Sequence, residues 1–144
     1  MPDPEPSPPP PASAPGPEVG PKSTSTGLPS NVAAALACIP LIGGIIFYIV
    51  EKHDGFVRFY AMQSIILGAA WFVFYIAALI VHGVFNAIPA IGGILVFFWQ
   101  IIVALVDIVF LVLWIVAMVK AFIGVRWEIP YIGPIARKQI ESAP

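Results

Sequence analysis

The sequence predicts an all-α membrane protein, a bundle of three transmembrane helices behind a disordered, proline-rich amino-terminal tail. Three observations carry this expectation. Residues 91–119, IGGILVFFWQIIVALVDIVFLVLWIVAMV, contain one formal charge, Asp107, and about 20 apolar residues suffice to cross a hydrocarbon core of about 30 Å. Two further apolar runs, residues 31–50 and 59–81, precede it. The whole chain is 59% hydrophobic and only 10% charged, with a mean hydropathy of +0.92, whereas soluble domains carry about 25% charged residues. A soluble chain of 144 residues has no interior for a helix that is apolar all round.

Composition also narrows the partners. A net charge of −1 offers nothing to nucleic acid, so the lipid bilayer is the expected partner. The single cysteine, Cys38, cannot form an internal disulfide or a thiolate metal site and reads as a packing residue.

Residues 1–30 hold 11 of the 16 prolines. Proline fixes φ and removes a donor, and the stretch has too few apolar groups to offset its ordering entropy, so it reads as disordered. It is no signal peptide, because it lacks a basic start and an apolar run before residue 31. Residues 31–141 form the helical membrane domain. In the first span, 31–50, Ser30 or Asn31 is the expected cap, and Pro40 with Gly43 and Gly44 predicts a kink near 36–44. Ala33, Ala34, Ala37 and Cys38 form small-residue faces suited to close helix contact.

The charged connection 51–58, EKHDGFVR, leads to the second span, 59–81, and makes the first two helices antiparallel neighbours. Gly55 is the expected stop of the first helix. Ser64 and Gly68 form another small-residue pair. Residues 82–90 carry no lysine or arginine and read as a tight connection at the interface. The third span, 91–119, would reach about 43 Å and so tilts or protrudes. No glycine, proline or polar cluster near Gln100 would split it into two. Beyond it, Gly124 is a candidate stop. Residues 134–141 suit a short interfacial helix, and Lys52, Lys120, Arg126 and Trp127 are the expected interface anchors.

Three spans place six cations (Lys52, Arg58, Lys120, Arg126, Arg137, Lys138) on one side and Lys22 on the other. The positive-inside rule then predicts a multi-pass protein of the cell (inner or plasma) membrane, with a cytoplasmic carboxyl terminus and an outward amino-terminal tail.

Asp107 and Gln100, two helical turns apart, share a face of the third span. A carboxylate at that depth must find a partner or do work. It is expected to serve as an interhelical hydrogen-bonding group toward Gln100, Gln63, Ser64 or a carbonyl freed by Pro40, the alternative being a proton or cation relay. His53 and His82 lie at opposite ends of the second span and cannot share a metal. With no nucleophile–base pair, phosphate loop or paired carboxylates, the sequence predicts no enzyme, cofactor or metal.

The run Glu51-Lys52-His53-Asp54-Gly55-Phe56-Val57-Arg58-Phe59-Tyr60-Ala61-Met62-Gln63-Ser64 resembles a family of small bacterial and archaeal membrane proteins of unknown function. That family is described as distantly related to a chloroplast inner-envelope protein-import component. The resemblance extends from Asn31 through Lys120-Ala121 to Pro130-Tyr131-Ile132-Gly133-Pro134-Ile135-Ala136. Members usually carry histidine where this chain has Tyr60, and the chloroplast relative has four spans. The residues themselves suggest a second account of the motif: Phe56, Phe59 and Tyr60 place rings at the interface, Arg58 snorkels to lipid phosphates, and Gln63 and Ser64 hydrogen-bond inside the bundle.

The expected function is therefore a non-enzymatic structural, translocation or assembly component that packs against itself or other membrane proteins. The alternative is a small oligomeric ion or proton channel, or a transporter, lined by the Gln100/Asp107 face.

Overall fold

The computed structural model describes residues 24–143, so the tail expectation for residues 1–23 lies outside them. Five helices follow in order: α1 Ser30–Ala37, α2 Ile42–Val50, α3 Gly55–Asn86, α4 Gly92–Phe122 and α5 Ile132–Ser142. The chain is all-α, and α3 and α4, of 32 and 31 residues, are long and apolar enough to cross a membrane.

The first expected span differs from expectation. Residues 31–50 do not make one helix. They make α1 and α2, of 8 and 9 residues, each about 12–14 Å long and so about half a bilayer core. Both outer ends meet at one end of the bundle. There the Ser25 backbone N–H and hydroxyl donate to Glu51 at 2.8 and 2.9 Å. The Ser30 hydroxyl donates to Asp54, and Asn31 Nδ2 donates to the Phe122 carbonyl at the end of α4, at 2.9 Å. At the opposite end, the tip packs against the sides of α3 and α4. Ser64 Oγ donates to Ile39 O at 3.2 Å and Trp114 Nε1 to Cys38 O at 2.7 Å. The expected kink is thus a reversal, and the segment is a helical hairpin.

Its physical cause is local. Pro40 has no N–H to give the preceding turn and disfavours a helical Ile39. Leu41 then takes φ 59°, and the Ile42 N–H reaches back to Pro40 O at 2.7 Å, closing a γ-turn of the strained hand. The same corner recurs between α3 and α4. Ala90 has φ 70° and Ile91 N–H donates to Pro89 O at 2.9 Å. It recurs again before α5, where Tyr131 has φ 67° and Ile132 N–H donates to Pro130 O at 2.9 Å. Each copy reads Ile-Pro-X-Ile-Gly, at 39–43, 88–92 and 129–133. In the two hairpins the final glycine is required by close approach. A Cβ on Gly43 would strike the Leu36 carbonyl, and one on Gly92 would lie 2.5 Å from the Phe85 carbonyl.

The half-length hairpin is wedged into the bundle. Ala33, Ala34, Ala37 and Cys38 are buried with Phe59, Tyr60 and Ala61 of α3 and Ala117 and Ala121 of α4. The small-residue faces therefore allow α1 to sit between both long helices. Helix α2 lies along α3, and Gly68 of α3 faces Leu41 at the tip, with room for a hydrogen but not a methyl.

The boundaries carry further corrections. Ser30 and Asn31 do not cap α1: its cap is Pro29, without a side-chain bond. Gly55 does not stop a helix but begins α3, which Asp54 caps through Phe56 N and Val57 N. Gly124 does end α4, at φ 76°. Gly124 N–H bonds to Ala121 O and Val125 N–H to Lys120 O, at 3.0 and 2.9 Å, a Schellman closure. Helix α5 spans Ile132–Ser142 and packs on α3.

Candidate functional site

The polar residues of the chain gather at two places. The first is the end of the bundle where α1 begins and α2 ends. Glu51 closes it. Its side chain is sealed from solvent and accepts from Ser25, from the His53 N–H at 3.0 Å and from the Asp54 N–H at 3.0 Å. Burial pushes its carboxyl up, and the donated hydrogen bonds from Asp54, His53 and Ser25 outweigh that and hold it below its usual range. Thr24 is buried too, donating to Leu28 O at 2.6 Å. Residues 24–29, grouped with the tail by composition, are instead docked here.

Beside this latch, α3 holds the segment after α4. Tyr60 is fully buried. Its hydroxyl donates to Val125 O at 2.5 Å and accepts from Trp127 N–H at 3.0 Å. One turn on, Gln63 Oε1 accepts from Ile129 N–H at 3.2 Å, and Nε2 donates to Trp127 O at 3.4 Å. Residues 125–129 have no helix or strand partner, so these two side chains supply what a neighbouring strand would. Phe56 and Phe59 pack edge-on to the Tyr60 ring, at 5.1 and 5.5 Å. Arg126 lies 4.4 Å over Phe59 and Arg58 5.1 Å over Tyr48. Lys52 is exposed, Lys120 lies in the last turn of α4, and Trp127 is half-buried. The anchors and the motif thus share one end of the molecule.

The second place is halfway along the long helices. Asp107 Oδ1 accepts from Trp71 Nε1 at 3.1 Å. Gln100, Gln63 and Ser64 are not its partners: Gln63 and Ser64 are engaged elsewhere, and Gln100 makes no hydrogen bond among the described residues. Asp107 opens onto a cavity of about 380 Å³ beneath the hairpin tip, lined by Pro40, Leu67, Gly68, Trp71, Phe110, Leu111 and Trp114. Gln100 does not line it.

The structure therefore unites Arg58, Tyr60, Gln63 and Trp127 and leaves Gln100 and Asp107 apart from them. Sequence reading passed over Glu51, Trp71 and Trp114. Tryptophan usually sits at a membrane interface, so the three tryptophans inside apolar runs, Trp71, Trp99 and Trp114, are a signal, and the first and last of them line the cavity. The repeated Ile-Pro-X-Ile-Gly likewise flags the corners. Among the described residues, no three His, Cys, Asp or Glu side chains come together as a metal site.

Comparison with known proteins covers this whole assembly. The profile of the magnetosome magnetite crystal formation protein family matches residues 23–136. A UPF0132 membrane protein of Methanocaldococcus jannaschii is 39% identical over 117 residues, 80% of this chain and 92% of that protein. A second from the same organism is 34% identical over 113 residues, 78% of this chain and 71% of that one. One from Archaeoglobus fulgidus is 36% identical over 111 residues, 76% of this chain and 94% of that protein. No solved structure matches the chain.

Proposed function

The chain belongs to the magnetosome magnetite crystal formation protein family, with UPF0132 membrane proteins among its relatives, and from that premise we propose a non-enzymatic membrane component that acts by helix packing. The observation that carries this reading is where the polar side chains go. Glu51, Asp54, Tyr60, Gln63 and Ser64 all bond within the chain and hold the hairpin and residues 125–129 in place. Meanwhile α3 and α4 leave long apolar faces uncovered, including Ile80, Phe97, Leu105 and Ile108. The family's description sets such a component beside magnetite crystal formation. The reading for this chain rests on packing in a membrane assembly, not on a mineral-binding site. Kinship to a chloroplast import component is an expectation of the resemblance that runs from Asn31 to Ala136, and neither the family match nor these relatives carry it.

The reading includes a topology. Helices α3 and α4 span, and the α1–α2 hairpin enters and leaves on the same side, a re-entrant element whose tip carbonyls Ile39 O and Cys38 O are met by Ser64 and Trp114. Supporting this, Lys52, Arg58, Lys120, Arg126, Arg137 and Lys138 belong to segments at the end where Ser25 meets Glu51, and the α3–α4 connection has no lysine or arginine. The positive-inside rule makes that end cytoplasmic, together with both termini. This replaces the outward tail of the three-span reading.

Two experiments test the proposal. A reporter that fluoresces only in the cytoplasm is fused to either terminus; darkness at the amino-terminal fusion alone would restore three spans. A photo-crosslinker is placed at Phe97 or Leu105 in membranes. Protein adducts of one defined mass are expected, and lipid adducts alone would sink the packing role.

A further inference from the structure

The cavity beneath the hairpin tip has a composition that packing does not explain. We propose that it is a binding site for a lipophilic organic cation, whose charge pairs with Asp107 and whose apolar body lies against Trp71, Phe110 and Trp114.

Charge is the first argument. Among the described residues, Asp107 is the only ionisable group lining a space of about 380 Å³. Residues 59–119 contain no lysine or arginine. Lys120 lies 13 residues further along α4, about 20 Å away. The Trp71 indole N–H orients Oδ1 at 3.1 Å, while Oδ2 has no donor among the described residues. A carboxylate at this depth, among hydrocarbon, calls for a countercharge that the described part of the chain does not supply.

Shape and chemistry choose the class of cation. An inorganic ion such as calcium needs six or more oxygens around it, and this cavity offers one carboxylate between apolar walls. Aromatic faces beside a carboxylate instead suit an organic cation, attracted by the ring quadrupoles as well as by the charge. The volume lies in the range of about 300–1,000 Å³ typical of sites for drug-sized ligands. The corner forms the roof: Pro40 lines the cavity, and Trp114 donates to Cys38 O at 2.7 Å to hold the tip over it. The site is open along one side, so a ligand partitioned into the bilayer reaches it laterally. A neutral acyl chain would fill the space and leave the carboxylate without a countercharge.

The test uses the full chain in lipid nanodiscs with tetraphenylphosphonium as the probe. Equilibrium dialysis measures binding, and tryptophan fluorescence, read in a Trp99→Phe, Trp127→Phe background, reports Trp71 and Trp114. Saturable binding with quenching is expected, with no comparable response to the anion tetraphenylborate. Asp107→Asn is expected to weaken binding about ten- to hundredfold, the size of one charge-assisted contact. Leu111→Trp, which fills the cavity from an exposed position and leaves Asp107 in place, is expected to abolish saturation. Circular dichroism is expected to show unchanged helicity in both variants. Equal uptake of the anion, unchanged affinity in Asp107→Asn, or an α4-mediated dimer that excludes the cation from the wild-type chain would each overturn the proposal.

Discussion

Tyr60 and Gln63 do at residue scale what a β-strand would do for the segment after α4. Both are buried, and between them they satisfy four backbone groups of residues 125–129. Removing one partner of a buried hydrogen bond costs about 1–3 kcal/mol. Tyr60→Phe is expected to destabilise the protein by about that amount, because Val125 O and Trp127 N–H both lose their partner. Unfolding in mixed micelles measures it, and increased proteolysis between residues 124 and 131 would accompany it. Glu51 gives a pH signature. Its carboxyl is held below its usual range, so its contribution is fully present above the unfolded value of about 4.3 and is lost as the pH falls through the lower folded value. Wild type is therefore expected to exceed Glu51→Gln in thermal midpoint at neutral pH, with the gap closing only on strong acidification. A gap independent of pH would contradict that role. Tyr60, Gln63 and Ser64 were legible as candidates, because polar side chains on an apolar helix need partners. Their partners were not, since Val125 and Ile129 lie 65 and 66 residues away in the chain.

At the scale of elements, one short motif builds three corners. Ile-Pro-X-Ile-Gly ends the preceding segment with a proline, reverses at X, and restarts with a glycine. The X residue is strained in each copy, since Leu41, Ala90 and Tyr131 all have positive φ. Ala90 is exposed, so Ala90→Gly removes strain without removing a buried contact. A gain of about 1 kcal/mol is expected after the entropic cost of glycine, measurable as a raised unfolding midpoint. The glycine end behaves oppositely. Gly92→Ala would drive a methyl to 2.5 Å from the Phe85 carbonyl, whereas a methyl at Gly93 meets open space. A loss of about 1–3 kcal/mol is expected for Gly92→Ala, and no loss for Gly93→Ala. Equal effects at the two positions would contradict the close approach. The proline and glycines of 40–44 were visible as a kink. That they complete a reversal was not, because the same residues are also tolerated inside a spanning helix.

The whole molecule is two long helices with a half-length hairpin wedged between them at one end. This makes the bundle asymmetric. The hairpin end is sealed by the alanines of α1, while toward the α3–α4 corner the long helices have only each other and whatever lies outside. The arrangement is open to a direct distance test. Asn31→Cys and Phe122→Cys, combined with Cys38→Ala, are expected to form a disulfide when isolated membranes are treated with the oxidant copper phenanthroline, because Asn31 already reaches the Phe122 carbonyl at 2.9 Å. A three-span chain would hold those positions on opposite sides of the bilayer, and no crosslink would form. The uncovered faces of α3 and α4 are the ones through which the proposed packing partners bind, and the Asp107 cavity lies where those faces meet the hairpin tip.

The sequence by itself determined that this is an all-α membrane protein, where its long helices run, and which polar residues need an account. These follow from local composition: an uncharged run of more than 20 residues has one stable form in lipid, and a buried side-chain amide or phenol must be bonded. Only the tertiary structure decided whether residues 31–50 run on as one helix or fold back as two, and which partner each polar group takes. A 20-residue apolar run broken by proline satisfies either path. The choice between them falls to contacts distant in sequence: Ala33, Ala34 and Ala37 against α3 and α4, Ser64 on Ile39, Trp114 on Cys38, and Ser25 on Glu51.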